Sequence, residues 1–290
     1  MENTQNDQLN KINEEIIAQQ TLERYSGSAI SDFNSYLLFS NFSYYIKVFS
    51  ELYSVKMYEG SSFTCAHSKE LDISIIDFKL GSPAAALIID LCSFLPQSKA
   101  GLMLGMCGGL RKHYRVGDYF VPVASIRGEG TSNVYFPPEV PALANFVVQK
   151  ATTNILENSS STYHIGITHT TNVRFWEFNK EFKHLLYKTK AQAIEMECAT
   201  LFAAGYKRNL PIGALLLISD LPFRQEGIKT KESSAFVLKN YTKDHIIKGV
   251  EAIEQLKTMR KKPRKGRTPE KQKGDLPHME IGEVEDKLSE

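Results

Sequence analysis

Several features that mark whole classes of protein are missing from this chain. Cysteine is scarce: Cys65, Cys92, Cys107 and Cys198 are far apart and show no C-x-x-C spacing. Their apolar surroundings exclude a disulfide scaffold and point to reduced, buried thiols in a cytosolic setting. No apolar run reaches the ~20 residues that a membrane-spanning helix needs. The longest, "AAALIIDLCSFL" at 84–95, is interrupted by Asp90. The opening "MENTQNDQLNKINEEIIAQQ" has neither the basic start nor the apolar middle of a secretory signal, so a cytoplasmic protein with no membrane partner is expected. A dominant charge is absent too. With 35 Lys and Arg against 33 Asp and Glu, the net charge is only +2, and nucleic acid is not the expected partner.

What is present is ordinary globular material, 290 residues of which 42% are hydrophobic, enough for one sizeable core. Residues 1–30 form a polar leader, 31–259 a folded domain, and 260–290 a charged tail with few large apolar residues, expected to be disordered. Within the domain, short apolar runs such as "SYLLFS", "DISIID", "GLMLGMCGG", "DYFVPVASI", "YHIGITHT", "AQAIEM" and "IGALLLISD" predict strands. Helix-period segments separate many of them, including one opened by Gly81-Ser82-Pro83, one from about 141 to 157 and a long closing helix from about 233 to 259. Strand and helix in alternation predict an α/β fold.

Three of these strands end in residues that an inert core would not choose. They are the glycine-rich Gly105-Met106-Cys107-Gly108-Gly109, the pair of carboxylates in Glu195-Met196-Glu197, and Ser219-Asp220. An unpaired buried carboxylate costs several kcal/mol, so a partner must be sought for each. Taken singly, the glycines read equally as a tight turn, Glu197 as a helix cap and Asp220 as the start of an Asx-turn before Pro222. Taken together, they read as one pocket at strand ends, where ligands gather in open α/β sheets.

"GMCGGL", "AIEMECAT" and "LLISDLP", in this order, resemble the purine nucleoside phosphorylase and nucleosidase superfamily from about Tyr36 to Leu256. Within it, "IRGEGTSN", "YFPPEVP", "THTTNVRFWE" and "SDLPFRQEGIKT" look like the AMP nucleosidases, which cut AMP into adenine and ribose 5-phosphate. The resemblance implies a three-layer αβα phosphorylase/hydrolase-like fold with a mixed central sheet. It also implies no metal and no organic cofactor, a small-molecule substrate (AMP), and a homo-oligomer, often a hexamer.

It further implies roles for residues. Asp220 matches the general acid that protonates the departing purine, with Ser219 beside it; burial at the end of "GALLLIS" would hold its proton near pH 7. Glu197 matches the carboxylate that accepts the ribose hydroxyls, and Met196 would pack on sugar and base. Glu195 is open between a binding and a structural role. Phe175 and Trp176 fall in the purine-facing wall, with stacking on adenine the expectation for the tryptophan and a plain core position the alternative. Arg127, Arg174 and Lys229 are the cations for a 5′-phosphate. Gly81 and Ser82, and Cys107, Gly108 and Gly109, lie where backbone N–H groups approach an anion or the ribose.

Two departures from the resemblance matter. Bacterial phosphorylases of the superfamily carry an arginine in the turn after the first strand and another before the "GxCG" turn, where this chain has "SNFSYY" and "LMLG". Water is therefore the expected nucleophile rather than phosphate; Glu51 and Glu59 are available to activate it, without a clear match. Larger AMP nucleosidases also carry an N-terminal regulatory region, whereas about 35 residues precede the matching segment here, so allosteric control is not expected. Alternatives are a phosphorylase or nucleosidase acting on unphosphorylated adenosine, inosine or methylthioadenosine, and a nucleotide sensor without catalysis.

Overall fold

The computed structural model describes residues 2–224 and 227–261. The expected charged tail falls almost wholly on residues 262–290, which lie outside the described residues. A single compact unit spans Met1–Met259. Among the described residues no helix is long and apolar enough to cross a membrane.

The strands earn their places by alternation. In β1 (Tyr36–Ser40), Leu37 and Phe39 enter one core cluster while Tyr36 and Leu38 enter the other. In β10 (Ile212–Asp220), Ala214, Leu216 and Ile218 face the first and Leu215 and Leu217 the second. A strand apolar on both faces must be covered on both, at a gain of ~1.5–3 kcal/mol for each large side chain removed from water. The first face is covered by α1 (Glu2–Ser26), α3 (Ser82–Cys92) and α6 (Cys198–Lys207). The second is covered by α2 (Ser43–Tyr53), α4 (Phe146–Glu157) and α7 (Lys231–Lys261). The result is a mixed sheet between helical layers.

The sheet has two parts. One arm runs from β5 (Ala100–Gly109) through β1, β4 (Ile73–Asp77) and β3 (Thr64–Ser68) to β2 (Met57–Glu59). The other closes on itself. From β5 the ladder passes to β10, β6 (Tyr119–Gly128), β8 (Tyr163–Thr171) and β9 (Ala193–Glu195), and β9 pairs with β5 again. A further two-residue strand, β7 (Ala142–Leu143), pairs with β6. β5 and β10 are parallel, but β9 runs against β5, with Gly108 opposite Ile194. The pocket therefore does not collect three carboxyl ends of parallel strands; closure of the ring brings the β9 turn to the ends of the other two.

Two local readings shift. The helix expected from about 141 begins at Phe146 instead, because Asn145 caps it by accepting from Val147 and Val148 N–H and leaves β7 free to pair. The polar first thirty residues include α1, whose Ala18 and Leu22 are buried against the first core face. Between α4 and α6, α5 (Lys180–Lys188) packs Leu186 with Trp176, Ile194 and Leu110 in a small third cluster.

Candidate active site

The ends of β5 and β10, the β9–α6 turn and the segment after β8 enclose an open pocket. The three segments singled out in the sequence thus share one cavity: Met106, Cys107 and Gly108, then Glu195, Met196 and Glu197, then Ser219 and Asp220.

Glu195 and Glu197 meet different partners. One oxygen of Glu195 accepts the N–H groups of Glu197 at 2.7 Å and Cys198 at 2.6 Å. The other accepts the Thr170 hydroxyl, with Ser125 Oγ farther off at 3.5 Å. Burial pushes its carboxyl up, and these bonds oppose the shift. Its place at the start of α6, where N–H groups point outward, is that of a structural anchor which also borders the pocket. Glu197 Oε1 accepts one backbone bond, from Gly81 N–H at 2.7 Å. Burial, reinforced by the charge of Glu195, pushes the Glu197 carboxyl up to about 8.

Gly81 and Ser82 do not line the cavity; they stand behind it. Gly81 has φ of 98°, a region where a side chain is strained, and Ser82 Oγ donates to the Met196 carbonyl at 2.8 Å, so the turn before α3 braces the β9–α6 turn. Gly109 also lies outside, facing Ile218, Leu221 and Tyr114.

The ladder between β10 and β5 is irregular at Ser219, pairing Ile218 with Cys107 and Asp220 with Gly108. Strict alternation would give Asp220 the face of Ile218; the extra residue turns it to the other, where Oδ2 lies 3.3 Å from where a Gly108 Cβ would stand. Ser219 Oγ donates to Asp220 Oδ1 at 2.6 Å. Burial raises the Asp220 carboxyl, the Ser219 hydroxyl and the charges of Lys229 and Arg174 oppose, and Glu177 adds to the rise. Lys229 Nζ lies 3.2 Å from Ser219 Oγ, and burial lowers its own pKa. The Cys107 thiol is pushed well up by burial, which leaves it an apolar wall group rather than a nucleophile.

Beyond β8 the chain forms a 3-10 turn, and neighbours in that turn part ways. Trp176 is 5% exposed, lines the cavity and packs edge-on to Phe223. Phe175 is 79% exposed and does not line the cavity. Arg174 reaches the pocket and bonds Glu177 Oε1 at 2.7 Å.

Arg127 departs from expectation. Its guanidinium donates to Ser132 Oγ, Asn133 Oδ1 and the carbonyls of Phe136, Pro137 and Val140, so it staples the excursion after β6 and does not line the cavity. Glu51, exposed on α2 beside Lys47, and Glu59, exposed on β2, are also outside it. The sequence reading passed over Asn41 and Phe42 after β1, Leu80, Thr171 and Val173, all in the lining, and noted Glu177 only as a neighbour of Arg174. Only the charge of Glu177 beside an aromatic pair gave a signal. Among the described residues no three His, Cys, Asp or Glu side chains group as a metal site.

Residues 39–252 match the phosphorylase superfamily. The chain belongs to that superfamily. Among solved relatives, the AMP nucleosidase of Bacteroides thetaiotaomicron VPI-5482 is 36% identical, with a TM-score of 0.76 covering 86% of this chain and 100% of that one. The AMP nucleosidase of Escherichia coli K12 is 26% identical over 281 residues, covering 81% of this chain but 58% of the longer relative. A uridine phosphorylase from Vibrio fischeri ES114 shares the superfamily's fold at 20% identity, with a TM-score of 0.71 over 82% of this chain and 98% of that one.

Proposed function

We propose that this chain hydrolyses the N-glycosidic bond of AMP, releasing adenine and ribose 5-phosphate. The observation that carries the reading is that Asp220, a partly buried carboxyl with raised pKa, and Glu197 line the same cavity. The AMP nucleosidase relatives support the choice of substrate.

Asp220 delivers its proton to N7 of the purine as the C1′–N9 bond breaks, and the bonding electrons stay with the base, which leaves neutral. The pentose becomes oxocarbenium-like. Glu197 accepts the ribose hydroxyls, and those donors favour its anionic form, which in turn favours the positive sugar. Water adds to C1′, and the proton it loses restores the Asp220 carboxyl, so the sum is AMP plus water to adenine plus ribose 5-phosphate. Met196 and Trp176 bound sugar and base. Lys229 and Arg174 are the cations, among the described residues of the lining, that meet the 5′-phosphate. The reading includes a cytoplasmic location and a homo-oligomer, the latter supported by Val123, Ile165 and Ile167, apolar yet 39–46% exposed on adjacent strands β6 and β8.

Incubation with AMP in phosphate-free buffer, followed by chromatography of the products, tests the proposal: adenine and ribose 5-phosphate are expected in equal amounts. The engagement of Arg127 elsewhere favours a second reading, an unphosphorylated purine nucleoside as substrate. Preference for adenosine over AMP, or dependence on added phosphate, selects it.

A further inference from the structure

Glu177 is unusual among the carboxylates of the pocket. It is 3% exposed and borders the cavity with Asp220. Arg174 holds Oε1, yet Oε2 is buried and no donor among the described residues reaches it. A buried carboxylate oxygen left in that state costs free energy unless something that enters the site satisfies it.

The chemistry of the purine edge says what that is. Adenine presents N7, an acceptor, beside the N6 amino group, a donor; a 6-oxopurine presents two acceptors at the same places. Once Asp220 faces N7, the next group along that edge is the 6-substituent. Asp220 Oδ1 already accepts the Ser219 hydroxyl and Oδ2 carries the proton, so a second carboxylate facing the 6-substituent adds an acceptor free for N6–H. Glu177 supplies one.

Resting on the reading of the pocket as a purine nucleotide site, we infer that Glu177 is the residue that selects the base: its unpaired oxygen accepts the amino group of a 6-aminopurine and repels the carbonyl of a 6-oxopurine. Discrimination of this kind is strong, because the wrong base leaves two acceptors face to face and a buried charge without a partner. Arg174 positions the carboxylate from the opposite side.

The test compares kcat/KM for AMP and IMP in the full chain and in Glu177→Gln, Glu177→Asp and Arg174→Gln. The parent is expected to prefer AMP by about a hundredfold or more. In Glu177→Gln the preference shrinks at least about tenfold, because the amide can turn its NH₂ toward O6, while Glu177→Asp, which keeps an acceptor, retains a preference for AMP. Arg174→Gln lowers kcat/KM for both substrates and, because it also frees the carboxylate that Arg174 holds, narrows the ratio by less than Glu177→Gln does. A parent that cleaves IMP as fast as AMP, or an unchanged ratio in Glu177→Gln, overturns the inference. A parent inactive on AMP but active on adenosine sinks only the phosphate part of the functional reading, and the same ratio is then read on adenosine and inosine. With no turnover at all, calorimetric binding of adenine against hypoxanthine decides it, and equal affinities in parent and Glu177→Gln count against Glu177.

Discussion

Around the β9–α6 turn the pocket is bounded by carboxylates that main-chain N–H groups hold: Glu195 by Glu197 and Cys198, Glu197 by Gly81. Beyond β8 and β10 the charged groups are held by side chains, Glu177 by Arg174 and Asp220 by Ser219, with Lys229 nearby. A side chain fixed by the backbone of packed strands and helices cannot move unless the sheet moves. One fixed by another side chain can exchange its partner when a ligand arrives. On the proposed reading, the first wall meets the pentose hydroxyls in one geometry, and the second meets a base and a phosphate that bring their own donors and charges.

The largest test of this contrast is Asp220→Asn, which removes the proton donor and is expected to lower kcat on AMP by about 10²–10⁴, read by adenine release at saturating substrate. Next come the two glutamates, whose effects should separate. Glu195→Ala leaves two buried N–H groups without acceptors, a loss of about 1–3 kcal/mol each, and should lower Tm by roughly 5–15 °C in a melting scan. Glu197→Gln should cut kcat/KM at least about tenfold with Tm near pH 7 within a few degrees of the parent, since the amide replaces a carboxyl that burial already holds mostly neutral there. If both variants lose stability alike, the two carboxylates are not differently employed.

Stability against pH sharpens the contrast further. Glu197, raised to about 8, binds more protons in the folded chain than in the unfolded one, so its contribution is full below the ordinary carboxylate range and fades as pH climbs through 8. His67 and His245, both lowered to about 4 by burial, act the other way: their contribution is full above 6.5 and fades as pH falls toward 4. Tm should pass through a maximum between the two limbs. Glu197→Gln should flatten the alkaline limb alone; flattening of the acid limb as well would contradict this assignment. The smallest effect concerns the arginines. Arg174→Met should raise KM for AMP, whereas Arg127→Met should leave KM within about threefold, because its guanidinium is engaged by carbonyls outside the cavity.

Much of the fold is legible in residue order because strands such as β1 and β10 are apolar on both faces, and because Gly81 and Pro83 mark a helix start. The meeting of "GMCGG", "EME" and "SD" is legible for the same reason: each polar or glycine-rich segment ends an apolar run. The direction of β9 is not, since a three-residue strand carries too little alternation to fix its pairing. Nor is the fate of an arginine. Arg127 is claimed by the carbonyl oxygens of the excursion that follows its strand and Arg174 by Glu177, and only the folded path of each segment decides this. Phe175 and Trp176 are adjacent, and only the 3-10 turn decides which one is turned inward. Asn145 could have been read as a cap, but a proline four residues earlier drew the boundary away from it.

The bond from Gly81 to Glu197 joins residues 116 positions apart. No fragment holding only one of them can aim that carboxylate, and contacts so distant in sequence are made late as a chain folds. Recovery of the proposed turnover in a refolding experiment would therefore count only molecules in which the early and late parts of the polypeptide have already docked, which makes the reaction a gauge of completed assembly.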